Sequence, residues 1–268
     1  MKKIKKYLHE LWSVLRLPEM LILPGNLTFF LILSIVPLIT LVGIITSFLS
    51  LPTDTIVSFL SDKLPIEIID LLVSFVSGSG INTGNFIFLI VGFYVASNGP
   101  DSLITASNIL YKNEDKGYVY RRVKALFMTF WLLLLFVFII VVLAFGTFIL
   151  NKLSMFGLIG KFIANNYAII TLIKFILAFI FLFLIIKIIY TLALSTKSKY
   201  VNRGAFFASI SIIVVTTVYS FYVTNMAHYD IIYGGLASIA ILMFLIYFIS
   251  YILVLGMAIN HNNYVNNN

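Results

Sequence analysis

Residues 97–101 read Ser-Asn-Gly-Pro-Asp, which sets a hydroxyl, an amide, a Gly-Pro break and a carboxylate side by side at the end of an apolar run, 86–96. That run is too short to cross a bilayer, which takes about 20 residues. The polar patch is therefore expected at or near membrane depth, where such groups are costly and usually serve a function. At helical spacing Tyr94, Asn98, Asp101, Thr105 and Asn108 share one side, with Ser97 and Ser102 beside it. These groups can bind a polar or charged substrate through hydrogen bonds, and Asp101 can gate or couple. They are not a bond-breaking set.

Two geometries fit this stretch. Pro100 either kinks one continuous helix and frees the carbonyl of Ala96, or the helix breaks and Asn98 caps a new one with Asp101 at its third position. In the blandest reading Asn98 and Asp101 only cap a helix at the cytoplasmic interface.

The elements that hold the patch follow from composition. Hydrophobic residues make up 61% of the 268 and charged residues 10%, against about 25% charged in soluble domains. The chain is therefore expected to be an integral, all-α membrane protein. Six apolar blocks predict spans at 27–49, 86–108, 127–148, 168–192, 205–223 and 236–258. Residues 1–19 form a cytoplasmic segment, 20–260 the six-helix transmembrane domain and 261–268 an Asn-rich polar tail. Lys2, Lys3, Lys5 and Lys6 precede Tyr7, Leu8, Leu11, Trp12 and Leu15 at helical spacing, which predicts an interfacial amphipathic helix rather than a signal peptide. The first outer loop, 50–84, carries a helical apolar period at Ile68, Leu71, Leu72 and Phe75.

Charge sets the orientation. Most of the 18 Lys and Arg lie in three segments: the N-terminus, the loop with Lys112, Lys116, Arg121, Arg122 and Lys124, and the loop with Lys197, Lys199 and Arg203. The positive-inside rule then places both termini in the cytoplasm of a cell-membrane protein. The net charge of +8 fits topology and anionic lipid better than nucleic acid, so membrane lipids are the expected partners and nucleic acid is not. A homo-oligomer is compatible with this composition.

Catalytic chemistry lacks its groups. There is no cysteine, and His9, His228 and His261 are far apart. No His-Glu-x-x-His, Gly-x-Ser-x-Gly or Walker-type loop occurs. No catalytic residue, metal ligand set or cofactor site is assigned, and the chain is not expected to be an enzyme.

Other intramembrane features read as packing. Lys174 and Lys187 can snorkel, although an inward Lys187 at the level of Asp101 could pair with it. Pro37 kinks the first span beside Ser34, whose hydroxyl could bond the freed carbonyl. Ser209, Thr216, Ser220 and Thr224 form a hydroxyl stripe, and Gly204 with Ala208 has small-xxx-small spacing. Tyr219, Tyr222, Tyr229 and Tyr233 read as an interfacial aromatic belt.

Several local patterns then recur in order. They are Phe29-Phe30-Leu31-Ile32-Leu33-Ser34-Ile35-Val36-Pro37; Ala96-Ser97-Asn98-Gly99 with Asn108, Tyr111, Glu114 and Arg121-Arg122; and Tyr190, Gly204-Ala205 and Phe221-Tyr222-Val223-Thr224-Asn225. Tyr229, Tyr233-Gly234, Leu255-Gly256 and Asn260 follow. In this the chain resembles the YihY/BrkB family of bacterial inner-membrane proteins, some of which have carried a ribonuclease BN label. Ala258 stands where the family often has Glu, and a Pro-containing stretch usual after the fourth span is missing near 192–199. The resemblance implies a six-helix membrane protein and fixes no activity. The first expectation is a transporter or flippase of a lipid or amphipathic anion of the polyprenyl-phosphate type. Ser97, Asn98, Asp101, Thr105 and Asn108 would bind substrate, supported by Ser34, Pro37, Lys187, Arg121 and Arg122. The second is a non-catalytic scaffold, and the third is a membrane enzyme or nuclease.

Overall fold

The computed structural model describes residues 15–48, 83–139, 157–194, 200–226 and 235–265. Among them every regular element is a helix: α1 (Glu19–Phe48), α2 (Thr83–Ala96), α3 (Asn98–Tyr111), α4 (Tyr118–Ile139), α5 (Gly157–Leu194), α6 (Asn202–Met226) and α7 (Gly235–Val265). The expected N-terminal amphipathic helix, save Leu15, lies outside the described residues, as do almost all of the first outer loop and Tyr229 and Tyr233.

Among the described residues three stretches are long and apolar enough to cross a membrane: Ala168–Leu194, Asn202–Val223 and Ile239–His261. Little of the first is buried. Its exposed face includes Ile169, Leu172, Phe175, Ile176, Ile180 and Leu184. A helix apolar all round with so little protein cover suits a hydrocarbon solvent, where apolar exposure costs nothing.

Helix α1 is the hub and packs against α2, α3, α4 and α7, while α5 bridges α4 and α6, and α6 lies along α7. The most buried side chains concentrate where particular helix ends converge. They include Met20 and Leu27 of α1, Met128 of α4, Ile185, Tyr190 and Leu194 of α5, Val201, and Val254, Met257 and Asn260 of α7. The starts of α1, α4 and α6 and the ends of α3, α5 and α7 therefore meet at one end of the bundle. That end carries the basic segment 112–124 and Arg203.

Several helices run past the predicted spans: α1 starts at Glu19 and not 27, α4 at Tyr118 and not 127, and α5 at Gly157 and not 168. α5 contains a non-helical residue, Asn166 (φ −117°, ψ 16°). α7 does not stop at a polar tail beginning at 261 but continues to Val265. Two contacts hold it there. Asn260 is buried and its Oδ1 accepts the Gly204 N–H at 2.7 Å, and His261 packs edge-on against Tyr111 with ring centroids 4.5 Å apart.

Candidate functional site

The stretch 97–101 forms a kink and not a capped break. Ser97 keeps right-handed helical dihedrals (φ −73°, ψ −4°) and makes no side-chain cap bond. Hydrogen bonds run across it on both sides: Ser97 N–H to the carbonyls of Phe93 (3.1 Å) and Tyr94 (3.2 Å), and Asp101 N–H to that of Ser97 (3.0 Å). Pro100 contributes no N–H. The Gly99 N–H leaves the helix altogether and donates to Ser34 Oγ of α1 at 3.1 Å.

Ser34 therefore has a different task from the expected one. Its hydroxyl donates to the Phe30 carbonyl one turn back (2.7 Å), not to the Leu33 carbonyl that Pro37 frees. A hydroxyl in a helix finds the i−4 carbonyl first, and its lone pairs stay available for Gly99. A Cβ on Gly99 would sit 2.7 Å from Leu31 Cδ2, so the glycine lets the kink approach α1. Ser34→Ala should orphan the buried Gly99 N–H and cost about 1–3 kcal/mol. Thr216→Ala removes a hydroxyl that donates only within α6, to the Ile212 and Ile213 carbonyls, and should stay within about 0.5 kcal/mol. Thermal midpoints in detergent compare the two.

Asn98 and Asp101 do not cap α3 with their side chains. They reach across to adjacent arginines near the start of α4. Asn98 Oδ1 accepts from an Arg122 terminal nitrogen at 2.9 Å, and the other terminal nitrogen of Arg122 donates to the Tyr94 carbonyl at 3.0 Å. Arg121 Nε donates to Asp101 Oδ1 at 2.8 Å, and a terminal nitrogen of Arg121 binds Asp115. Asp101 thus has Arg121 and not Lys187 as its ion-pair partner. Lys187 is half-buried in α5. Burial of Arg121 opposes its charge, but the hydrogen bond and charge of Asp101, then Asp115, outweigh that and raise its pKa above the ordinary guanidinium value.

Aromatic rings finish the cluster. The Arg122 guanidinium lies 3.8 Å from the centroid of the Tyr94 ring, and the hydroxyls of Tyr94 and Tyr118 are 2.7 Å apart. Close by, Lys116 and Lys124 flank the Tyr120 ring at 5.2 and 5.7 Å. Burial, followed by the charge of Lys116, lowers the pKa of Lys124.

Beneath the ion pairs an open groove of about 420 Å³ is lined by Thr105, Asn108, Ile109, Lys112, Asn113 and Asp115. Its floor is the end of α3. Lys112 there adopts a left-handed conformation (φ 51°), with its N–H on the Ile109 carbonyl and the Asn113 N–H on that of Asn108 at 2.9 Å. This is a helix-terminating motif in which glycine is the usual residue. The turn then reverses at Gly117 (φ 95°), a position that favours glycine, whose N–H is held by Asp115 Oδ1.

The expected residues separate into three groups. Asn98 and Asp101 join Arg121 and Arg122. Thr105 and Asn108 line the groove, with Thr105 Oγ1 also donating to the Asp101 carbonyl at 3.0 Å. Ser97 is fully buried and its hydroxyl donates to the Tyr94 carbonyl, so it shapes the kink. Ser34 braces the kink from α1, while Pro37 lies one turn further along and brings no polar group. Reading the sequence alone missed the burial of Arg122 and its stacking with Tyr94. The signal was there: the buried face of α4, Ala125, Met128 and Thr129, extends back by one helical step to Arg122.

Residues 15–267 match the family model for virulence factor BrkB. The chain is 27% identical over 261 residues to the putative ribonuclease-like protein YfkH of Bacillus subtilis (strain 168), covering 95% of this chain and 94% of that protein. No solved structure matches. With its apolar helices, its polar kink and a family match spanning nearly its whole length, the chain belongs to the virulence factor BrkB family of membrane proteins.

Proposed function

We propose that this chain is a cell-membrane transporter or flippase of an amphipathic anion, such as a lipid or a polyprenyl-phosphate-type envelope component. In this reading six helices span the membrane and both termini are cytoplasmic. One observation carries it: the kink places the Asp101–Arg121–Asp115 ion pairs beside the groove lined by Thr105, Asn108 and Lys112. Transporters commonly build their sites where a helix is interrupted by polar backbone and side chains, and a kink with polar neighbours is a milder form of such an interruption. The groove serves as the cytoplasmic vestibule and the ion pairs as its gate. Purified protein in liposomes should accelerate transbilayer movement of a fluorescent phosphatidylglycerol or polyprenyl-phosphate analogue. An unchanged rate across a panel of anionic lipids would sink the proposal.

A scaffold reading has its own support. Asn98–Arg122 and Asp101–Arg121 fasten α3 to α4, as interhelical polar bonds do in membrane bundles. An enzyme is not proposed, although the relative in Bacillus subtilis carries a ribonuclease-like name. Among the described residues no group of three or more His, Cys, Asp or Glu could hold a metal ion. Nuclease activity that copurifies with the protein and is lost in Asp101→Ala would reverse this.

A further inference from the structure

Arg122 is 7% exposed, yet among the described residues no carboxylate touches it. Asp101 and Asp115, the acids of the cluster, both bind its neighbour Arg121. The partners of Arg122 are neutral: the Asn98 amide oxygen, the Tyr94 carbonyl and the Tyr94 ring. Each terminal nitrogen makes one such bond, and the buried Nε–H has no acceptor. A buried guanidinium with neutral partners and an orphaned donor is costly, because neither its charge nor its hydrogen-bonding capacity is satisfied. A bound oxyanion would satisfy both. The guanidinium fork matches phosphate and carboxylate oxygens in pairs.

One side of the Arg122 guanidinium is covered by a partly exposed side chain. The Tyr94 ring lies on the guanidinium and is itself 46% exposed. Its hydroxyl is bonded to that of Tyr118, which is 56% exposed. Swinging Tyr94 outward breaks one hydrogen bond that water can replace and gives up the cation–π contact. Both losses are small beside a charge-assisted bidentate bond.

We propose that Arg122 is the anion receptor of this site, binding a phosphate oxyanion through its unused donors, with Tyr94 as the lid. The proposal deepens the transporter reading and rests on it only for the movement of the bound anion. Binding itself can be tested without transport.

The test uses the full chain in maltoside detergent, with the thermal unfolding midpoint followed by tryptophan fluorescence. Inorganic phosphate is titrated against chloride at constant ionic strength, and a short-chain phosphatidylglycerol is titrated separately. Wild type should gain stability as either phosphate source saturates the site. A response to both sources assigns the oxyanion alone as the determinant, and a response to the lipid only assigns a headgroup with its chains. No response to either overturns the proposal. Arg122→Gln should abolish the response and Lys116→Gln should keep it; the reverse pattern would assign the effect to the surface lysines and reject Arg122. Tyr94→Ala guards against a merely unfolded Arg122 variant. Removing the lid should bring the half-maximal response to about tenfold lower phosphate, and unchanged or weaker binding would refute the lid. If lipid moves in liposomes but no phosphate response is seen, Arg122 is rejected and the transporter reading stands. If phosphate binds but nothing moves, the receptor stands and the transporter reading fails.

Discussion

Gly204→Ala is expected to destabilise the folded chain by about 3 kcal/mol or more, one of the two largest effects predicted for a single substitution. A Cβ at this position would overlap the Gly256 carbonyl oxygen of α7 and lie 2.6 Å from Asn260 Cγ and Nδ2. The first obstacle is backbone, so no side-chain rotation relieves it. The two helices would have to separate, and Gly204 N–H would lose its 2.7 Å bond to Asn260 Oδ1. The crossing is close from the other side as well. A Cβ on Gly256 would run into the Tyr190 hydroxyl and come 3.0 Å from the Gly204 carbonyl. Tyr190 has no room to yield, being fully buried with its hydroxyl bonded to the Leu253 carbonyl at 2.8 Å.

The same substitution elsewhere supplies the comparison. A methyl group added at Gly25 in α1 would meet nothing within 4 Å, so Gly25→Ala should stabilise by up to about 1 kcal/mol through helix propensity alone. Heating both variants in detergent and measuring the fraction that elutes as a monodisperse peak separates them. Equal midpoints would show that the α6–α7 crossing is looser than these distances require.

These positions show what sequence can and cannot tell. Gly204 with Ala208 marks a small-residue face on one helix, which identifies a packing side. The spacing holds no information about the partner, because periodicity fixes the face of a helix but not its neighbour. Only the fold brings Gly256, Tyr190 and Asn260 to that face. The polar stripe on α3 was legible for the same reason, and Asn98 and Asp101 share the side that meets α4. Their partners were also visible as Arg121-Arg122 and read as supporting residues; the pair alone does not say which of the two is buried, and only the face marked by Ala125, Met128 and Thr129 picks out Arg122. Ser34 stood beside Pro37 in the chain, yet its useful neighbour is Gly99, far away in sequence. Asn260 stood as the last residue before an Asn-rich tail, where nothing local marks an Asn as buried. Its value lies in one hydrogen bond that satisfies the first turn of α6.

The second large effect is expected for Asp101→Asn, which should slow transbilayer movement of an anionic lipid at least tenfold. Asp101 and Arg121 are each about a fifth exposed, 19% and 20%, so the pair sits between the surface and buried limits. Losing the carboxylate should cost about 1–2 kcal/mol of stability. Arg121 keeps Asp115, which limits the damage and leaves a folded protein to assay. The variant also removes one of the two acids that balance Arg121 and Arg122, so the cluster gains net positive charge beside the groove. An anion that enters such a cluster is held more tightly and released more slowly. The scaffold reading makes a different demand, because there the pair matters only as a fastening between α3 and α4. Ser107→Ala provides the measure of a fastening alone. Its buried hydroxyl ties α3 to the Ala193 carbonyl of α5 at 3.1 Å, and its loss should cost a similar 1–2 kcal/mol, roughly, with no change of charge. At a temperature where both variants are fully folded, a gate predicts slow transport in Asp101→Asn and wild-type transport in Ser107→Ala. Equal rates in the two variants would reduce Asp101 to a structural tie and place the scaffold reading first.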